Sequence, residues 1–406
     1  MKKIFVNAIA FAVSFAGFCV NANAEETEVM TEEETLESEV VPTTEIATEA
    51  PRKMYASTPE PGQTLAPALQ AMNPNAPDWM KDVADRITLH GYAQGGYTYT
   101  NQNGVNTNTF DIKRTLLWAT AQITPRWSFC FMHDFNSKVQ EYYTDYRVTK
   151  NNAFTVRFGQ FKNGCTFENP LSPTSMETID VYSEGVTYLT GCGSDPLFGV
   201  QYGRDLGMSF FGETNNKFFR YEVDLLNGQG INQKDKNNKK DVIARLEVRP
   251  FDGLNIVATG QLGYGNALVG GTVFNPTMVA GQDYKRNRWS AGFDYKSKAF
   301  NMHGEYLEGK DGDALSRGAY VTGSTKLLTF KDKTSLDFIA SYDYFNFNVD
   351  QKNDMHKVVA GFQYWFFKRC RIQAQYIYKS AITNYSSVYE KKGNHAIMCQ
   401  MQIRFN

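Results

Sequence analysis

Beyond its first two dozen residues the sequence has no run of eighteen apolar residues, so it offers no helix able to cross a bilayer. Histidine is scarce. None of His90, His133, His303, His356 and His395 stands in a recognisable nucleophile context, and no catalytic residue or enzymatic activity is expected. Cysteine is also scarce. After Cys19, the remaining Cys130, Cys165, Cys192, Cys370 and Cys399 form an odd, widely spaced set. That excludes a disulfide framework and any thiolate metal site, leaving open a single bridge such as Cys165 to Cys192. Neither a cofactor nor a nucleic-acid partner is indicated.

What is present begins with Lys2 and Lys3, an apolar run and Ala22-Asn23-Ala24, the pattern of a signal peptide over residues 1–24. Cys19 does not suit acylation, because the bulky Phe18 precedes it. Residues 25–85 carry 14 acidic residues against three basic ones, with Pro51, Pro59, Pro61, Pro67, Pro74 and Pro77. Such a segment buries too little to offset its ordering entropy, so it reads as a largely disordered tail with a short helix at 79–86. Removing it and the signal peptide leaves 37 basic and 29 acidic residues in 86–406, so a formal charge of -1 conceals a body of about +8.

The body is rich in aromatic residues, 14% of the chain, at a mean hydropathy of -0.44. Its dominant period is two. In AIMCQMQIRF, Ile397, Cys399, Met401, Ile403 and Phe405 share one face, and Met398, Gln400, Gln402 and Arg404 the other. In DVIARLEVRP, Val242, Ala244, Leu246 and Val248 lie opposite Asp241, Arg245, Glu247 and Arg249. Strands read at 89–99, 109–121, 127–135, 138–148, 153–162, 198–212, 218–227, 240–249, 254–265, 287–296, 299–309, 318–330, 334–345, 356–367, 369–379 and 394–405 number sixteen. Connections after even-numbered strands are short, as at Ser297-Lys298. Those after odd-numbered strands, 163–197, 228–239, 266–286, 310–317, 346–355 and 380–393, read as longer, none of them a tight hairpin. This is the asymmetry of a transmembrane antiparallel β-barrel in the outer membrane of a Gram-negative bacterium, with its N-terminal tail in the periplasm. Closure is compulsory in lipid, and sixteen strands enclose more space than side chains fill.

The expected function is passive diffusion of small hydrophilic solutes or inorganic anions. Alternation places Lys113, Arg147, Arg157, Arg220, Arg245, Arg249, Arg288 and Arg371 on polar faces, as candidate lumen-lining selectivity residues. Inward Glu141, Asp145, Glu222, Asp224 and Glu247 would pair with some of these, and a salt-bridged interior with weak selectivity is the competing reading. Arg114 and Arg204 fall on nominally lipid-facing parity, where a bulge or proximity to headgroups would resolve the conflict. The connection after strand five, NGCTFENPLSPTSMETIDVYSEGVTYLTGCGSDPL, is the longest. As the third extracellular loop it is expected to fold inward and set the pore diameter, with Glu168, Pro170, Pro173, Glu177 and Asp180 as constriction candidates and an ordinary surface loop over the mouth as the competing reading. A structural or adhesive barrel is the alternative. A gated active transporter would need a folded plug before the barrel, for which 25–85 is too short.

Three stretches, FDIKRTLLWATAQITPRWSFCFMHDF (110–135), TVRFGQFKNGCTFENPLSP (155–173) and YEVDLLNGQGIN with KKDVIARLEVRPF (221–232, 239–251), resemble the phosphate-selective porin O and P family as found in Bacteroidales. The resemblance covers roughly 87–406. It implies a sixteen-stranded porin, commonly a homotrimer, with a constricting third loop and an arginine-lined anion path. By position, Lys113, Arg114, Arg157, Lys162 and Arg245 match basic residues of the family. The chain departs from the pattern in having no basic residue from Gly164 to Pro196, no continuous arginine ladder, and Asn406 after the final aromatic residue.

Overall fold

A computed structural model describes residues 64–193, 195–330, 334–367 and 369–405. The expected signal peptide, Cys19 and most of the acidic segment lie outside the described residues. Before the first strand come two short helices, α1 (Ala66–Met72) and α2 (Asp78–Arg86). The second is the helix read from sequence, whereas the first falls where only tail was expected.

Sixteen long strands follow: β1 (Ile87–Gln102), β2 (Val105–Thr124), β3 (Trp127–Asp134), β4 (Val139–Arg147), β5 (Thr155–Lys162), β6 (Arg204–Glu213), β7 (Phe219–Leu226), β8 (Asp241–Val248), β9 (Leu254–Leu262), β10 (Asp283–Lys296), β11 (Phe300–Asp311), β12 (Ala314–Thr329), β13 (Ser335–Asn346), β14 (Asp354–Phe367), β15 (Cys370–Lys379) and β16 (Asn394–Phe405). Each pairs antiparallel with its neighbours in sequence, and β1 pairs with β16 from Gly91↔Phe405 to Gln102↔Asn394, which closes the ring. The ring of sixteen strands thus has no open edge to offer unpaired backbone groups to lipid.

Alternation along the strands turns the usual soluble pattern inside out. In β8, Val242 and Leu246 are 43% and 48% exposed, whereas Arg245 and Glu247 are 0% exposed. Val223 and Leu225 on β7 point outward likewise, and Glu222 and Asp224 inward. An apolar outer wall around a charged inner face is the arrangement lipid demands.

Two connections on the long-loop side are tighter than the sequence suggested. Asn103 and Gly104 alone join β1 to β2, both at positive φ, as a two-residue hairpin requires. Gly312 and Asp313 join β11 to β12, correcting the expectation of a longer loop over 310–317. In both places period-two residues beyond the membrane-length segment continue the ladder instead of forming loop.

Strand count alone implies a wide lumen, and the chain between β5 and β6 folds into it. Residues 164–193 are almost entirely buried and form a 3-10 turn (Pro173–Ser175) and a helix, α3 (Glu184–Thr190). Ser183 Oγ caps α3 by accepting from the Val186 amide at 3.2 Å, and Gly191 ends it in the left-handed conformation. Phe167, Leu171, Val186, Tyr188 and Leu189 of this loop share one hydrophobic cluster with the wall residues Val257, Leu307, Tyr320, Phe345 and Met355. A side chain at Gly185 would collide with Leu307 Cδ1 and Phe345, so a glycine there permits the close approach of helix to wall.

Candidate functional site

The charged inner face is a set of matched pairs. Arg157 on β5 donates to both carboxylate oxygens of Asp145 on β4, at 2.7 and 2.8 Å, with its guanidinium 3.8 Å from the Tyr143 ring. Arg245 meets Glu247 at 2.7 Å, and Arg288 meets Asp311 at 3.0 Å. Arg220 lies 3.5 Å from Glu222, and Arg249 lies 2.9 Å from Glu213 and 3.3 Å from Glu247. Burial makes each charge costly unless it is compensated, and in these pairs the opposite charge supplies the compensation. This is the salt-bridged interior, not a row of uncompensated guanidinium groups.

Several of the same cations also hold the inserted loop. Arg245 Nη1 donates to the Thr166 carbonyl at 2.6 Å, Arg371 Nη2 to the Met176 carbonyl at 2.7 Å, and Lys162 Nζ to the carbonyls of Asn169 and Leu171, both at 2.8 Å. Arg371 also binds Gln363 Oε1. Arg147, by contrast, stands exposed at the end of β4, and Lys113 is half-buried on the opposite side of the loop, its Nζ 3.8 Å from Met398 Sδ. The nine cations chosen from sequence therefore divide between paired wall residues, loop supports and partly accessible positions outside the packed zone.

The bulge expected near Arg114 exists. Pairing of β1 with β2 slips between Gln94 and Gly95, passing over Lys113, and turns Arg114 inward so that Nη1 reaches Gln94 Oε1 at 3.1 Å. Arg204 is likewise inside, 2.6 Å from Glu141 Oε1.

Among the loop candidates, Glu168 accepts from the Ser183 amide at 2.8 Å and lies 3.0 Å from His303 Nε2. The Glu177 carbonyl accepts from the side-chain amides of Gln373 and Gln375, at 2.8 and 2.7 Å. Asp180 pairs with Lys357 at 2.9 Å, while Pro170 is buried and Pro173 opens the 3-10 turn.

Sequence reasoning missed the residues that close this latch. Glu184 on α3 is 2.6 Å from Lys379 Nζ and 3.4 Å from Lys357 Nζ, and it accepts from the Tyr385 hydroxyl. Its amide donates to Asp343 Oδ2 at 2.6 Å. Burial alone would raise the Glu184 carboxyl, but Lys379 and Lys357 outweigh it and hold the group down at about 2. Glu305 accepts from the Phe167 amide at 2.6 Å, one rung from His303 on the same face of β11. The shared parity of His303 and Glu305 was the signal available for these two.

The loop thiols are free: Cys192 Sγ bonds Asn169 Oδ1 at 2.8 Å, and neither it nor Cys165 is in a disulfide. Burial pushes both thiols up, Cys165 to about 12, so they stay protonated and inert. Among the described residues, no three His, Cys, Asp or Glu side chains are grouped to hold a metal ion.

The packed zone does not reach both ends. Lys113, Arg114 and Thr98 remain partly accessible on one side of the loop, and Arg249, with a side chain 31% exposed, on the other.

No protein-family model and no curated protein sequence matches the chain. Solved structures do match its fold. An anion-selective porin from Comamonas acidovorans aligns with a TM-score of 0.55 at 13% identity, over 79% of this chain and 99% of that one. Pseudomonas putida OprB gives 0.58 at 10% identity, over 81% and 97%. OmpT of Vibrio cholerae, in vitro folded and in its trimer form, gives 0.50 at 16%, over 79% and 100%. With the closed ring, the outward apolar belt and the inserted loop already in view, these likenesses establish that the chain has the β-barrel fold of outer-membrane porins.

Proposed function

We propose that this chain is a porin of a Gram-negative outer membrane, a passive channel for water, inorganic ions and small hydrophilic solutes, with its N-terminal segment in the periplasm. The observation that carries the reading is the inverted wall, apolar outside and charged inside, closed around an interior wide enough to hold a whole loop. A barrel serving only as a scaffold has no need of so many buried ion pairs, each of which costs desolvation. The packed loop keeps the resting passage narrow.

Anions are the preferred cargo in this reading, because the body carries about eight more basic than acidic residues. The resemblance to the phosphate-selective porin family and the likeness to a solved anion-selective porin both support this preference. Phosphate itself is tested by its competition with chloride current. Assembly as a homotrimer, implied by the same resemblance and matching the trimer form of OmpT, is tested by cross-linking in outer-membrane vesicles.

The deciding experiment is recording in planar bilayers, on the whole chain and on a variant with residues 167–190 replaced by a short Gly-Ser linker. Small stepwise openings are expected from the first and larger ones from the second. Silence from both overturns the channel and leaves a structural or adhesive barrel.

A further inference from the structure

One apolar surface of the described chain lies off the barrel wall. On α2, Ala84 and the half-buried Met80 face inward, and the Ala84 carbonyl accepts from the Leu65 amide at 3.1 Å. One turn apart on the adjoining face, Trp79 and Val83 are 66% and 47% exposed. The polar side is laced by Lys81–Asp78 and Arg86–Asp82 pairs. A nine-residue helix that leaves a tryptophan and a valine uncovered beside a satisfied polar face has an unpartnered apolar stripe.

Its position says what covers the stripe. α2 ends at Arg86 and β1 begins at Ile87 with no linker, so the helix sits where the barrel wall leaves the bilayer. Arg86 Nη1 donates to the Ile123 carbonyl at 3.1 Å, fixing the helix to the end of β2. Ile123 and Trp127, at this same rim, are themselves exposed apolar residues of the outer wall. The stripe thus sits at the rim where the lipid-facing belt ends. Tryptophan, with an apolar body and one N–H donor, suits the headgroup boundary.

We propose that α2 is an interfacial helix, lying in the headgroup layer of the phospholipid leaflet at the short-turn end of the barrel, with Trp79 and Val83 inserted among the acyl chains. The inference rests on the membrane-spanning reading, and one experiment separates the two. The full chain, W79F and W289F are refolded into phosphatidylcholine vesicles, plain or brominated high on the acyl chains. Trp79 and Trp289 are both exposed, so phenylalanine fits in either place. The emission lost in each variant reports its own tryptophan, and Trp289 on the outer wall of β10 reports insertion of the barrel. The Trp79 emission is expected to fall about twofold in brominated vesicles, as for a residue at the interface. Quenching of Trp289 without quenching of Trp79 overturns the interfacial helix while the barrel stands. Quenching of neither brings down the membrane-spanning reading and this inference with it.

Discussion

Glu184 ties the inserted helix to the wall, and its ionisation has a definite pH signature. Its folded value of about 2 lies below the ordinary 4.5, so the anchoring it provides is complete above about 4.5 and is lost as pH falls through 2. The shift corresponds to about 3 kcal/mol. Glu184→Gln, which removes the charge at every pH, should show at neutral pH the loosened loop that the native protein shows only in acid. Hydrogen exchange of the amides of α3 measures this, and unchanged protection in the variant refutes the latch. None of this was legible in the sequence, because Lys357 and Lys379 reach Glu184 across the barrel from strands far along the chain. On β14, moreover, Lys357 shares its face with the apolar Met355 and Val359, so alternation gave no polar face to mark it.

At the scale of the element, the strands and the inward fold of the long third loop were legible, but the loop's contacts were not. Alternation repeats within each strand and needs no knowledge of partners, so β8 could be placed from Val242, Arg245 and Leu246 alone. The segment 163–203 has no period, so its length marked it as the loop to fold inward but nothing in it marked which wall residues it would touch. Arg245 joins the two levels, since it pairs with Glu247 on its own strand and donates to the Gly164 and Thr166 carbonyls of the loop. Arg245→Ala takes the nearest of three cations from the buried Glu247 carboxylate and removes the donor to two carbonyls, and should cost about 3 kcal/mol. Arg249→Ala, at a partly exposed pair, should cost about 1 kcal/mol or less. Urea unfolding in detergent compares them, and equal losses would show that Arg245 is not a support of the loop.

For the whole molecule, the sign of selectivity belongs to the charges that water can reach, since the buried cations are held by carboxylates or by loop carbonyls. Among the residues chosen from sequence, Lys113, Arg147 and Arg249 are accessible, and Lys113 and Arg249 border the packed zone on its two sides. Lys113→Glu and Arg249→Glu together should move the zero-current potential in a KCl gradient toward cation preference, with little change from Arg157→Gln. A shift from Arg157→Gln alone would reassign selectivity to the interior. Alternating cations and carboxylates along the strands foreshadowed this division, but which pairs are sealed depends on where the loop lies.

The loop leaves the wall at Asn163 and rejoins it at Gly203, and the strands that carry it are hydrogen-bonded to each other up to Lys162↔Arg204. Its two roots therefore sit side by side on one intact ladder. The insert could be cut, shortened or exchanged for another without removing a single rung of the ring, so the rim is a natural place for this lineage to alter what passes while leaving the cylinder untouched.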